Sequence, residues 1–464
     1  MDDRHTALVL SRIGIVAVLW TIMKAQITNK EIWRIALPIM LGNLAQTIIN
    51  FTDTAFLGHL GVVALGASML AGLFYFVFTT IATGFAIGIQ IIVARRFGEK
   101  KYDQVGVIFG HGSLFVLILG SILFSILYFC SDQLLLWLID SPNIYDASIE
   151  YIRYRQFGIA FVCFNFLYRS LYVGISNTKV ITYSTLIMAV VNIVLDYCLI
   201  FGKGGFPEMG IAGAAIASFC AEVSAFLFFS IYSYTSQSNK DFGLFKIQKI
   251  KPHLMGNILK ISMPTMLQKL FSFGVWFIFF VLIEKMGETA AGISSITRSV
   301  YMILITPCFA FSTTTNTLVS RIIGAGHPEQ VFPTIAKVLK NCLLCTVPIV
   351  ILVSIFPAEM ARIYTNDLNF AQLVVPSILI ICSATLFQGF GNAYFDAVSG
   401  TGNTSVALYL EAIILVIYVL FIVGMTHWTT HVEWVWTAEI LYGVLLGTFS
   451  LLYMKFAKWE KKKI

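Results

Sequence analysis

Twelve stretches of this chain stay apolar for longer than the hydrocarbon core of a bilayer is thick, and that leaves few ways to fold. They fall at 32–57, 62–94, 105–130, 157–177, 180–202, 210–234, 257–283, 288–322, 333–356, 370–398, 404–426 and 434–456, each beyond the roughly 18 residues that mark a span. In hydrocarbon no water satisfies the backbone, so each stretch must close its hydrogen bonds on itself as a helix. Only 12% of the residues are charged and 58% are hydrophobic, against about 25% charged in soluble domains. The fold class expected is an all-α integral membrane protein with twelve transmembrane helices.

The few charges orient it. The formal net charge is +7, which taken alone could mean a nucleic-acid partner. The basic residues, however, collect at 24–34, in "ARRFGEKK", at Lys179, in "NKDFGLFKIQKIKPH", between Arg321 and Lys340 and in the tail "KFAKWEKKKI". The alternate loops carry "GFPEM", "THWTTHVE" and the acidic segment from Ser131 to Asp146. That asymmetry places both termini in the cytoplasm of a multi-pass plasma (inner) membrane protein, with no nucleic acid implied. Residues 1–29 are read as an N-terminal extension: Arg12 interrupts its apolar run, no small-residue cleavage site follows, and "MKAQITNKEIWRIALP" reads as an ordinary start from Met23. The eight cysteines sit in apolar runs; the one CxxC, Cys342 to Cys345, lacks a metal or redox context and reads as packing.

The longest polar cytoplasmic segment, 235–255, divides the chain near its middle. Laying Pro38 on Pro264 also lays Gly61 on Gly287, Arg95 on Arg321, Gly98 on Gly324, Val105 on Val331, and "GISNTK" from Gly174 on "GTGNTS" from Gly400. Six helices precede the linker and six follow it, so the halves share one orientation and form a parallel repeat about an axis normal to the membrane. The expected organisation is two six-helix lobes, 30–234 and 256–456, with a basic tail at 457–464.

Charges inside such spans are expensive, and they point to function. Asp53 and Asp196 lie about six and seven residues from the outer ends of their helices, both roughly 9–10 Å deep at 1.5 Å per residue. Asn192 stands four residues before Asp196 on the same face, and Ser218 on the next helix adds a hydroxyl at roughly 12 Å. Carboxylate, amide and hydroxyl oxygens at one level suit a hard monovalent cation, with Na+ possible at Asp53, Asn192 and Asp196; two carboxylates at one level can also carry a proton between them. A structural hydrogen-bonding role for the two aspartates is the plainer alternative. Glu222 and Arg169 lie in the same half. With Arg169 as the only base counted within its spans, uncompensated negative charge is expected there.

The motifs "IALPIMLGNLAQTIINFTDTAFLGHLG", "ARRFGEKK", "GISNTK", "NIVLDYCLIFGKGGFPEMGIAGAAIAS" and "SGTGNT", in that order, spacing and duplication, resemble the multidrug and toxic compound extrusion (MATE) family, most nearly its branch with an N-lobe aspartate pair. The resemblance covers residues 30–456. It implies a twelve-helix, V-shaped, two-lobe fold that exports amphiphilic organic cations in exchange for Na+ or H+ by alternating access; a monomer needing no cofactor beyond its coupling ion is expected. It carries the cation role onto Asp53, Asn192, Asp196 and Ser218, the last where relatives often have Thr. The C-terminal half departs from the pattern: where some members carry acids, this chain has Ser272 and Gln388, so that lobe's cation site is expected to be absent.

That half instead places Lys269, Arg298, Asp396, Glu411 and Glu439 within its spans. Two bases against three acids favour an internal ion-pair network, with substrate or proton handling as the alternative. Pro38 is expected to bend its helix and act as a hinge. The aromatics of "GLFYFVF" and "VWFIFF" read as scaffold, and His111 as a satisfied core group. A lipid-linked saccharide flippase, the competing transporter reading, would want several unpaired bases for its anionic headgroup. An enzyme is not expected, because the scattered histidines assemble no nucleophile, base or metal constellation.

Overall fold

A computed structural model describes residues 27–139, 141–246, 250–365, 367–460 and 462; residues 1–26, most of the extension, lie outside the described residues. The chain forms helices α1 (Asn29–Leu60), α2 (Val62–Gly98), α3 (Tyr102–Leu136), α4 (Pro142–Arg155), α5 (Ile159–Gly174), α6 (Lys179–Ile200), α7 (Gly210–Thr235), α8 (Pro252–Glu284), α9 (Glu288–Gly324), α10 (Val331–Ile355), the short α11 (Pro357–Arg362), α12 (Leu368–Gly400), α13 (Thr404–Trp428), the short α14 (Val432–Trp436) and α15 (Ala438–Phe456). Among the described residues, twelve spans are long and apolar enough to cross a membrane, and two of them join two α-helices: α4 with α5, and α14 with α15. The spans agree with the apolar runs at every position but one. The fourth span begins at Pro142, not near 157, because "PNIYDASIEYIRYR" is an amphipathic helix whose charges hide it from a hydropathy reading.

The repeat is visible in the backbone. Gly61 links α1 to α2 and Gly287 links α8 to α9, with φ of 115° and 117°; a side chain is strained at such angles, so both copies need glycine to turn from one span into the next. Pro38 and Pro264 occupy matching interior positions of α1 and α8.

The described residues form two compact units. One comprises 38–97 and 101–273, where α6 packs on α7, α3 on α5 and α4 on α7. The linker belongs to it and is docked. Its 3₁₀ turn Gln237–Phe242 lies on α3, with the Phe242 ring near Phe97 and Tyr102 at 6.4 and 5.9 Å, and the Lys251 N–H donates to His111 Nε2 at 3.0 Å. His111 is buried, and its Nδ1 pairs with the Val107 carbonyl at 2.8 Å, so it is indeed a satisfied group.

The second unit comprises 27–37, 98–100 and 274–460. Here α12 lies between α9 and α15, over a core that includes Val319, Ile335, Phe395, Val398, Ile414 and Leu446. The first turns of α1 are part of it: Trp33 Nε1 donates to Asn341 Oδ1 at 2.9 Å, Asn341 Nδ2 to Asn29 Oδ1 at 3.1 Å, Lys337 Nζ to the Ile27 carbonyl at 2.8 Å, and Glu31 pairs with Arg321. The chain therefore passes from one unit into the other inside α1, between Leu37 and Pro38.

Candidate functional site

Two groups of buried polar side chains stand out, one in each unit. In the first, α1 supplies Asp53, and α6 supplies Asn192 and Asp196 one turn apart. The three side chains come within interaction range of one another. Asn192 and Asp196 are fully buried. Five atoms here are buried without a hydrogen-bond partner: Asp53 Oδ1, both Asn192 side-chain atoms and both Asp196 carboxylate oxygens. Buried polar atoms are nearly always satisfied, so this many orphans in one place call for a partner that the protein does not supply there: water, a proton or an ion. Oxygen-rich and anionic, the donor set fits a hard monovalent cation or a proton held between the carboxylates. Ser218, on α7, is half-buried and makes no hydrogen bond to these three among the described residues.

Around this cluster the charges differ from the expected pattern. Glu222 does not await Arg169. It forms a two-pronged pair with Arg155, whose Nη1 donates to Glu222 Oε2 at 2.7 Å and whose Nη2 meets Oε1. Arg155 escapes a sequence reading because it sits in the amphipathic first half of the fourth span, which looks like a loop. Its guanidinium carbon stands 4.2 Å from the centre of the Tyr75 ring, and Nη1 also donates to Tyr75 Oη at 3.3 Å. Tyr75, in "GLFYFVF", is thus tied to a charge and is more than scaffold. Arg169 donates to the neutral Asn43 Oδ1 at 2.6 Å. Of Asp53, Asp196 and Glu222, only Glu222 has a paired base, and Asp53 and Asp196 have none among the described residues.

The second group centres on Glu439 of α15, 5% exposed. Tyr301 Oη and Gln388 Nε2 donate to its Oε2 at 2.9 and 3.1 Å, and Tyr418 Oη to its Oε1 at 2.9 Å. Gln388 is itself oriented by Asn392, whose Nδ2 donates to Gln388 Oε1 at 3.1 Å. Nearby, Tyr442 Oη donates to Glu411 Oε1 at 2.9 Å, and Ser312 Oγ bonds to Asp396 Oδ2. The expected ion-pair network is not what forms. Among the described residues neither Lys269 nor Arg298 pairs with any of the three acids; Arg298 lies over the Phe280 ring at 5.2 Å from its centre. The physical reason is supply of donors: Tyr301 and Tyr418 converge with Gln388 on both oxygens of Glu439 without a base, Tyr442 reaches Glu411 Oε1, and Ser312 reaches Asp396. Ser272, at one expected acid position, donates its hydroxyl to the Gln268 carbonyl at 2.8 Å. All eight cysteines are free; Cys342 is buried 3.9 Å from Cys308 Sγ.

The MatE family model matches residues 38–198 and again 264–423, its two copies starting at the two prolines that the internal repeat aligns. The chain is 27% identical over 445 residues to a probable multidrug resistance protein NorM of Thermotoga maritima, covering 94% of each. It is 25% identical to the multidrug resistance protein NorM of Photobacterium profundum, covering 86% of this chain and 88% of that one. Among solved structures, an outward-facing multidrug resistance MATE family transporter of the MOP superfamily superimposes with a TM-score of 0.86 at 20% identity, over 94% of this chain and 97% of the other. Matched in both halves over more than half of its length, the chain belongs to the MatE family, the multidrug and toxic compound extrusion proteins.

Proposed function

We propose that this protein is a secondary active efflux antiporter of the plasma (inner) membrane, with both termini cytoplasmic, that expels amphiphilic organic cations in exchange for Na+ or H+ by alternating access. The observation that carries the reading is the orphaned cluster of Asp53, Asn192 and Asp196. Left empty, it holds buried carboxylate oxygens with neither donor nor counter-ion, an expensive state. One monovalent cation, or one proton, removes most of that cost. The site therefore gains more from binding than a solvated carboxylate would, and a bound ion changes the charge of the first unit's interior. Relatives named for multidrug resistance support the substrate class. Charge does not separate the flippase alternative: Arg155 is held by Glu222, but Arg169 meets the neutral Asn43 and Arg298 the Phe280 ring, so the choice rests on the transport test below.

Pro38 is the natural hinge. The part of α1 before it is anchored in the second unit, whereas its own carbonyl accepts from Thr182 Oγ1 at 3.0 Å within the first. Ion binding at Asp53, on the same helix, has a direct mechanical route to that point.

The test is reconstitution in liposomes with ΔpH and ΔpNa imposed separately, following efflux of a fluorescent organic cation. Efflux driven by either gradient is expected; indifference to both removes the antiporter reading.

A further inference from the structure

The Arg155–Glu222 pair is an unusual thing to keep inside a span. Buried ion pairs seldom stabilise relative to apolar packing, so stability alone is a weak reason for it. Its setting is specific. Arg155 ends α4 where the chain tightens into the 3₁₀ turn Gln156–Gly158, the kind of break that often marks a functional position. Gly158 clears the space: a Cβ there would run into Glu222 Oε2 and sit 2.7 Å from Arg155 Nη1. The Glu222 carbonyl is held in turn by Asn165 Nδ2 at 2.9 Å. Arg155 is also within electrostatic reach of Asp53, and Tyr151, one turn earlier on α4, lies in the field of Asp53, Arg155 and Glu222 together.

A guanidinium whose field reaches one carboxylate of a pair is a competitor for the ion that the pair would bind. We propose that Glu222 is a positioning residue for the cation site: it clamps the Arg155 guanidinium in a two-pronged grip against α7 and the Tyr75 ring, so that the Asp53–Asp196 pair stays open to an external cation instead of being closed by an internal one. Charge counting gives the same result. Asp53, Asp196 and Glu222 against Arg155 leave two negative charges, and removal of the Glu222 charge leaves one, with a freed guanidinium able to turn toward Asp53. The inference rests on reading Asp53 and Asp196 as the coupling site.

The experiment measures, in proteoliposomes of the full chain, the Na+ and H+ concentrations that half-saturate gradient-driven efflux of ethidium, separately from the maximal rate. Glu222→Gln should weaken half-saturation by about tenfold or more, a size ordinary for coupled sites, and Arg155→Gln with Glu222→Gln should return it to within about threefold of the unmodified protein. Arg155→Gln alone should bind the ion as tightly or more tightly. A pair that merely holds the fold would change the maximal rate and leave half-saturation unmoved, which overturns the proposal, as does a double variant no better than Glu222→Gln. If Glu222→Gln does not fold, the sign of the Arg155→Gln effect decides, and a tenfold weakening there overturns it. Asp53→Asn separates the two layers: unchanged ion dependence in that variant sinks the coupling site itself, whereas ion dependence lost there but unchanged in Glu222→Gln sinks only the clamp.

Discussion

Glu439 in the second unit and the Asp53–Asp196 pair in the first meet the problem of a carboxylate in the membrane in opposite ways. Around Glu439 every carboxylate oxygen receives at least one neutral donor, from Tyr301, Tyr418 or Gln388, and Gln388 is locked by Asn392. Around Asp53 and Asp196, three of the four carboxylate oxygens are buried and receive none. The first arrangement is complete as it stands and has no call for a ligand. The second lacks donors as it stands, which is the basis for the proposed ion site. Both regions hold buried carboxylates, so charge alone does not separate them; the number of donors aimed at each oxygen does.

Substitutions that neutralise the incomplete site should have the largest effect. Asp53→Asn and Asp196→Asn are each expected to abolish ion-coupled efflux while the proteins still reach the membrane and remain monodisperse, checked by transport assay beside fluorescence-detected size exclusion. Normal uphill transport in both variants would erase the contrast. Next comes Pro38→Ala, which should slow efflux yet leave ion half-saturation as it was; an unaltered rate would count against a hinge. At the complete site the expected change is in stability. Tyr301→Phe removes one donor to Glu439 and should cost about 0.6–1.7 kcal/mol, the range for single interhelical hydrogen bonds in membranes, read by thermal unfolding in detergent, with efflux per folded molecule preserved. A Tyr301→Phe protein that is stable but inactive would move Glu439 into the transport machinery. Smallest of all is Arg298→Met. With no acid paired to it, its stability should shift by no more than about 0.5 kcal/mol, and a larger loss would restore the ion-pair account.

What the sequence discloses follows the physics of each signal. Helix number, repeat and the grouping of Asp53, Asn192 and Asp196 are legible because hydropathy, a fixed register and a four-residue spacing are local or periodic properties; Asn192 and Asp196 announce their shared face by arithmetic. Arg155 is not legible, because a charged amphipathic helix and a polar loop have the same mean hydropathy, and only its i to i+4 pattern in "IEYIRYR" hints otherwise. The partners of Glu439 are hidden for another reason. Tyr301, Tyr418 and Gln388 come from three separate helices, and nothing in one sequence says that their hydroxyl and amide groups converge. A count of bases and acids therefore predicts salt bridges where tyrosines suffice.

The anchoring of α1 has a consequence for how the protein is made. Asn29, Glu31 and Trp33 are among the first described residues to leave the ribosome, and their partners Asn341 and Arg321 follow about 290 to 312 residues later. At about 5–20 residues per second that is a wait of roughly 15–60 s. During it the leading turns of α1 have a completed first half beside them but no Trp33 pocket to enter. A chain truncated after the linker should insert its spans and still leave this segment open to proteases. The last half to be translated thus finishes the first helix.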